Sequence, residues 1–107
     1  QKDIMIDWNR PARKIYDHIR ALDPWLPCYT SHNRAFLKIG SAKIVENISL
    51  SGKPGQIISK GKNCFTVLTA EESKAILIEN LRLYKPAGKL WSELYINKFV
   101  KIGDCLR

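Results

Sequence analysis

The chain has 107 residues, of which 45% are hydrophobic, and it carries a formal net charge of +8 at pH 7. This length fits one domain, or one small domain with an arm, and the apolar share supports a packed core and excludes a wholly disordered chain. No apolar run reaches the length of a membrane span and no signal-peptide pattern stands at the N-terminus, so we expect a soluble cytoplasmic protein.

The positive charge is unevenly distributed along the chain. Residues 1–24 hold five basic and four acidic side chains, a net charge of +1, whereas residues 25–107 hold thirteen and six, a net charge of +7. A basic surface on a small domain favours nucleic acid or another polyanion as the partner. A solvated surface that serves only solubility is the alternative, and the charge alone does not separate the two.

After an extended arm at residues 1–7, the first predicted element is a helix within Trp8–Thr30. Asn9 is the expected N-cap, and Pro11 follows in the first turn, where a missing N–H removes no hydrogen bond. Pro24 is expected to end the helix, because it disfavours the helical conformation of the residue before it. The apolar positions recur at helical spacing and predict one buried face: they are Ala12, Ile15, Tyr16, Ile19 and Leu22.

From Ser31 onward, short runs of strand-forming residues alternate with turn residues. Glu79 and Asn80 interrupt the longest run, which predicts a bulge there, and Ser92 is expected to cap a short helix at Glu93–Lys98. Five or six short strands predict a mainly β domain, a small closed barrel with the first helix packed on it. The predicted strands are Ala35–Ile39, Ala42–Ile48, Gln56–Ser59, Cys64–Thr69, Lys74–Leu83, and a final interrupted strand at Val100–Ile102 and Cys105–Leu106.

The sequence offers no catalytic constellation. His18 flanks the apolar face of the helix and is expected in solvent, and His32 is expected in a turn. Glu71 and Glu72 are neighbours in a polar segment and are expected to be solvated. The cysteines at positions 28, 64 and 105 lack the spacing of metal ligands, so we expect buried free thiols and predict no metal site.

Lysine and arginine side chains on turns are the main functional candidates, because they can reach phosphates and position a nucleic acid without reading its sequence. Three aromatic residues, Trp25, Tyr84 and Trp91, are candidates for stacking on unpaired bases, although aromatic residues of a small barrel more often belong to its core. The candidate phosphate contacts are Lys38, Lys43, Lys53, Lys60, Lys62, Arg82, Lys85, Lys89, Lys98 and Lys101.

Several motifs occur in order between residues 6 and 106. They are Ile6-Asp7-Trp8-Asn9-Arg10-Pro11-Ala12, Ile19-Arg20-Ala21-Leu22-Asp23-Pro24-Trp25, Tyr29-Thr30, Gly52-Lys53-Pro54-Gly55, Pro86-Ala87-Gly88-Lys89 and Gly103-Asp104-Cys105-Leu106. Together they resemble the C-terminal domain of methionyl-tRNA formyltransferases. The chain departs from that family where Leu26-Pro27-Cys28 replaces Pro-Gly-Ala and where Leu90 replaces a lysine.

The resemblance implies a barrel related to the oligonucleotide-binding fold at residues 31–107, a helix and connector at residues 8–30, and a linker at residues 1–7. It implies a monomeric enzyme that transfers a formyl group from 10-formyltetrahydrofolate to the methionyl amino group of initiator tRNA. In that family the catalytic Asn, His and Asp belong to an N-terminal domain. This domain is therefore expected to bind tRNA and to hold no catalytic residue and no cofactor.

Two alternatives stay open. One is the equivalent domain of a sugar-nucleotide formyltransferase or of a formyltetrahydrofolate hydrolase-type enzyme, which needs no contact with a polyanion. The other is a stand-alone oligonucleotide-binding barrel with no enzyme attached. The charge of residues 25–107 favours the tRNA enzyme over the first, and the arm at residues 1–7 argues against the second.

Overall fold

The computed structural model describes residues 5–22, 28–84 and 89–106 of the chain. Within these ranges the chain forms two helices and seven strands. In order they are α1 (Ala12–Leu22), β1 (Cys28–His32), β2 (Ala35–Ile39), β3 (Ser41–Val45), β4 (Ile57–Lys60), β5 (Cys64–Leu68), β6 (Ala75–Glu79), β7 (Arg82–Leu83) and α2 (Lys89–Phe99).

The strands form two antiparallel sheets. One has the order β1-β2-β7 and the other has the order β3-β6-β5-β4. The chain crosses from one sheet to the other at Gly40, between β2 and β3, and again at Asn80 and Leu81, between β6 and β7. Because the described strands fall into two separate sheets, the predicted closed barrel is not confirmed, whereas the mainly β class is confirmed.

The sequence located the middle strands better than the first and the last. Strand β2 has the predicted bounds, and β3, β4 and β5 lie within one to three residues of theirs. The predicted run Lys74–Leu83 is divided by Asn80, which has a φ of 55°. The predicted bulge is therefore a left-handed turn that passes the chain between the sheets, a conformation that asparagine adopts more readily than most residues.

Strand β1 is not among the predicted strands, because the expectations place residues 28–30 in a connector and His32 in a turn. The predicted final strand is wrong in extent, since only an isolated bridge joins Cys105 to Gln56 within the described residues. Both segments lack a strong run of β-branched residues, so their conformation depends on the strands beside them.

Helix α1 packs its apolar face on β3 and β6, as the predicted stripe requires. Ala12, Ile15 and Ile19 are buried there. Asn9 is not the N-cap. The backbone N–H of Ala12 instead donates to a carboxylate oxygen of Glu71 at 3.1 Å, so a side chain distant in sequence satisfies one of the first-turn donors.

Two further sequence expectations concern Glu71 and the end of α1. Glu71 caps α1 and also lies 3.4 Å from the ammonium of Lys74, so the prediction that it is merely solvated is wrong. The predicted stop at Pro24 falls outside the described residues.

Helix α2 begins at Lys89 and is longer than predicted. Ser92 is not its cap, because it lies buried inside the helix and its hydroxyl accepts a hydrogen bond from the backbone N–H of Leu83 at 2.8 Å. Ile96 is buried within α2, and Val100 is buried just beyond its end. The hydrogen bond of Ser92 ties α2 to β7, and Ile96 and Val100 join the hydrophobic core.

The arm at the start of the described chain is extended, as predicted, and it is packed against β1. The backbone N–H of Ile6 donates to the carbonyl of Tyr29 at 3.0 Å, and Met5 forms a parallel bridge to the same residue. Ile6 and Trp8 are buried, and the indole N–H of Trp8 donates to the hydroxyl of Thr30 at 2.9 Å. The arm therefore belongs to the packed domain from residue 5 onward.

Neither described helix has the length and apolarity needed to cross a membrane. None of the three cysteines forms a disulfide in the described residues; Cys28 is buried, Cys64 is half-buried and Cys105 is exposed. The expectation of a buried thiol therefore holds for Cys28 and is wrong for Cys105. In the described ranges, no group of three His, Cys, Asp or Glu side chains is arranged to hold a metal ion.

Candidate nucleic-acid interface

One face of the three-stranded sheet points away from the core. In β2 the side chains alternate, so that Leu37 and Ile39 are buried while Phe36 and Lys38 are exposed. Residues directly opposite each other in antiparallel strands share a face. The pairing therefore defines six positions, which we call the outer face, in two rows: Tyr29, Lys38 and Arg82 in one, and Ser31, Phe36 and Tyr84 in the other.

Aromatic rings form one part of the outer face. Phe36 is 47% exposed and Tyr84 is 55% exposed. The backbone N–H of Tyr84, the residue that follows β7, donates to the carbonyl of Phe36 at 2.9 Å, which places the two residues side by side. The ring of Tyr29 meets that of Tyr84 edge-on, with centroids 6.0 Å apart and planes at 81°. This favourable edge-to-face contact restricts the orientation of the Tyr84 ring.

Two cations stand opposite each other beside these rings. Lys38 of β2 pairs in register with Arg82 of β7, and like charges at directly opposed positions of a sheet are destabilising. The guanidinium of Arg82 also donates to the carbonyl of Leu81 at 3.2 Å. No carboxylate in the described part of the chain forms an ion pair with either cation. An anion lying between them would relieve the repulsion that the fold leaves in place.

The other predicted phosphate contacts do not gather on this face. Lys43 lies in the other sheet and forms an ion pair with Glu79 at 3.7 Å. The side chains of Lys85 and Lys89 lie outside the described residues, as does Trp25. The remaining members are exposed and lie outside the strands of this sheet: Lys53, Lys62, Lys98 and Lys101.

Lys60 has a structural role. Its ammonium donates to the carbonyl oxygens of Ile96, Asn97 and Val100 at 3.0, 3.1 and 2.6 Å. These oxygens stand at the C-terminal end of α2, where intrahelical donors are missing and the helix dipole is negative. The ammonium of Lys60 therefore caps α2 and is engaged by the protein itself.

His32 is fully buried in β1, so the prediction that it lies in a turn is wrong. Its Nε2 lies 2.8 Å from a carboxylate oxygen of Asp104, and its Nδ1 lies 2.7 Å from the hydroxyl of Tyr95. The hydrogen bond from His32, with another from the backbone N–H of Lys101, lowers the pKa of Asp104. Burial, together with the charge of Asp104, raises the pKa of Tyr95.

These three side chains follow the order of a catalytic relay, but their setting is structural. The imidazole of His32 has no exposure to solvent, so a substrate cannot reach it. The group joins β1 to α2 and to the segment after it, 63 and 72 positions further along the chain.

Three members of the outer face, Tyr29, Ser31 and Phe36, are not among the binding candidates that the sequence offers. The signal was present for Phe36, because Phe36 and Lys38 alternate with Leu37 and Ile39 in a correctly predicted strand. For Tyr29 the signal was missing, since its strand was not recognised. Of the three proposed stacking residues, Tyr84 lies on the outer face, while Trp91 is exposed on α2 and is not one of its six positions.

Comparison with known proteins places this two-sheet domain in a family. The chain matches the family model described as the formyl transferase, C-terminal domain, over residues 1–92. It belongs to that family, which confirms the resemblance seen in the sequence motifs.

Curated relatives carry a more particular name. The chain is similar to the methionyl-tRNA formyltransferase of Staphylococcus epidermidis (39% identity over 89 residues, covering 83% of this chain and 27% of the relative). It is also similar to the enzyme of that name from Streptococcus equi subsp. equi, with 33% identity over 106 residues, covering 94% of this chain and 32% of the relative. The enzyme of that name from Staphylococcus aureus is 36% identical over 89 residues, covering 83% of this chain and 27% of the relative. The chain thus spans about a third or less of the length of these relatives.

Proposed function

We propose that this chain is the tRNA-binding domain of a methionyl-tRNA formyltransferase. The observation that carries the proposal is the outer face, where Lys38 and Arg82 stand in register without a carboxylate partner in the described ranges. The net charge of +7 over residues 25–107 acts in the same direction. The names of the curated relatives support tRNA as the polyanion, in preference to a sugar nucleotide or a folate alone.

In this proposal the domain contributes binding energy and orientation, and the chemistry takes place elsewhere. Phosphate contacts hold the tRNA in one register, so that its methionyl amino group meets the formyl donor in a fixed geometry. The formyl donor, 10-formyltetrahydrofolate, and the reacting groups belong to an N-terminal domain of the same enzyme. We further propose that the enzyme acts as a cytoplasmic monomer in translation initiation, and that the two sheets are related to the oligonucleotide-binding fold.

A tRNA titration at several salt concentrations tests the proposal. Each neutralised phosphate contributes a slope of roughly 0.7 to 0.9 to the fall of log affinity with log salt. We expect a slope equivalent to several phosphates for the 107-residue chain. Replacing Lys38 with Gln is expected to lower the affinity at low salt and to reduce the slope by about one phosphate.

The matched control is Lys14→Gln, which removes one exposed charge from α1, the helix packed on the other sheet. Its salt slope is expected to equal that of the parent chain. Salt-independent binding, absence of binding, or an equal effect of the two substitutions would each contradict the proposal.

A further inference from the structure

The outer face combines cations with aromatic rings, and the rings are the part that phosphate binding does not explain. A duplex or a phosphate backbone is held by charge alone. Exposed rings in the middle of a sheet leave apolar surface in water, which a purely electrostatic surface does not require. Phe36 and Tyr84, the most exposed rings of the outer face, lie side by side in its second row.

We propose that the outer face binds an unpaired RNA segment, with bases stacked on Phe36 and Tyr84 and the phosphates beside Lys38 and Arg82. This inference rests on the proposed function and narrows it, because it assigns one surface to unpaired nucleotides rather than to a duplex. Aromatic side chains on a sheet accept any base, since every base offers a flat π-face.

The layout of the two rows fits a nucleotide. Phe36 and Lys38 are two residues apart on one face of β2, and Tyr84, the residue that follows β7, is two residues from Arg82. Two residues of a strand span about 7 Å, so each ring has a cation at about that distance along its own strand. A base lying on the ring therefore directs its phosphate toward the adjacent cation.

Charge complementarity selects RNA over a protein partner for this face. None of the six outer-face side chains is acidic, and the two cations repel each other in the unliganded fold. A basic protein would add to that repulsion. An acidic peptide would satisfy the cations without requiring flat exposed rings next to them.

The experiment compares single-stranded RNA with duplex RNA. The probe is an oligouridylate of about 12 nucleotides, within the range that one such domain covers, and the comparison ligand is a blunt RNA duplex. Phe36→Leu keeps apolar bulk but removes the aromatic face, whereas Phe36→Tyr keeps the ring. We expect Phe36→Leu to weaken oligouridylate binding about tenfold, which equals about 1.4 kcal/mol, and Phe36→Tyr to bind as the parent does.

Two controls and a crosslinking measurement test whether the oligouridylate binds at the outer face. Leu50→Ala changes another exposed apolar side chain, in the loop between β3 and β4, and is expected to leave the oligouridylate affinity unchanged. Duplex affinity is expected to be the same for the parent and Phe36→Leu. With 5-iodouridine in the oligonucleotide, photo-crosslinks are expected at Phe36, Tyr84 or Tyr29 and are located by peptide mass spectrometry.

The outcomes separate this inference from the proposed function. If tRNA binds with a steep salt slope but Phe36→Leu binds oligouridylate as the parent does, stacking is refuted and the domain assignment stands. Crosslinks confined to other residues, or equal losses for duplex and single strand, also refute stacking. If tRNA does not bind at all, the proposed function is refuted, together with the inference that rests on it.

Discussion

His32 is held at both ring nitrogens by groups from the far end of the chain. Asp104 receives hydrogen bonds from the imidazole and from the backbone N–H of Lys101, and both stabilise its ionised form. The pKa of Asp104 is therefore lower in the folded chain than in the unfolded chain. A group with a lowered folded pKa stabilises the fold above its unfolded pKa, and this contribution is lost as the pH falls through the folded value.

Asp104→Asn is expected to remove this acid-dependent contribution while keeping an oxygen that accepts from His32. At neutral pH the variant should be less stable than the parent by about 1–2 kcal/mol, since hydrogen bonds to charged groups are the stronger ones. The gap should narrow as the pH falls below about 4, where an unfolded aspartate begins to take up its proton. Urea unfolding midpoints between neutral and acidic pH measure the gap.

Asp17→Asn is the matched control. Its carboxylate forms an ion pair with Arg13 at 3.2 Å in which both side chains are more than half exposed, and such pairs contribute little. The urea unfolding midpoint of Asp17→Asn should fall with decreasing pH in the same way as that of the parent. A constant gap between the parent and Asp104→Asn across the acid range would show that Asp104 does not titrate as the structure implies.

At the scale of elements, α1 begins and α2 ends on side chains from segments distant in sequence. Glu71 accepts from the first residue of α1, and Lys60 donates to the last carbonyls of α2. Local capping residues were predicted for both helices, Asn9 and Ser92, and neither acts as one. At each of these two termini a charged side chain from a distant segment supplies the hydrogen-bond partner, so no local capping residue is required.

Lys60→Met is expected to destabilise the fold by about 1–2 kcal/mol, because it keeps the apolar stem and leaves three carbonyl oxygens without their charged donor. The salt slope of tRNA binding should not change, since the ammonium is already engaged. Denaturant unfolding and the salt titration measure the two effects. Lys62→Met, on the exposed neighbouring loop, is the control and should unfold as the parent does.

At this scale, the sequence predicts the features that depend on local interactions and does not predict those that depend on contacts between distant residues. The stripe of α1 and the alternation of β2 are local patterns, and both predicted the observed element. The capping by Glu71 acts on a residue 59 positions away, and the burial of His32 depends on a partner 72 positions away. No local pattern encodes such contacts. The basic residues of the outer face were named from the sequence, but their pairing in register required the strand topology.

At the scale of the whole molecule, the segment after α2 closes the structure onto β4. The backbone N–H of Ile57 donates to the carbonyl of Asp104 at 2.8 Å, and the carbonyl of Ile57 accepts from the backbone N–H of Gly103 at 2.7 Å. Leu106 is buried, and its N–H donates to the carbonyl of Gly55 at 2.8 Å. The family match ends at residue 92, yet the residues beyond it complete the core.

Deleting residues 103–107 is therefore expected to lower the free energy of unfolding by about 3 kcal/mol or more, because one buried leucine and several hydrogen bonds are lost together. Thermal and urea unfolding measure the loss. If the shortened chain does not fold, Leu106→Ala provides a milder change, with an expected loss of about 2–3 kcal/mol. Ile102→Ala, at an exposed position of the same segment, should have little effect. Full stability of the shortened chain would show that the segment is only an appendage.

The crossing at Asn80 has a consequence for how the domain opens. One uninterrupted stretch supplies β6 to the four-stranded sheet and β7 to the other. Pulling β6 out of its sheet thus removes the anchor of β7, and with it the strand that carries Arg82. Amide protons of the two sheets should consequently exchange with deuterium as one cooperative unit, with a common opening free energy, rather than as two independent halves.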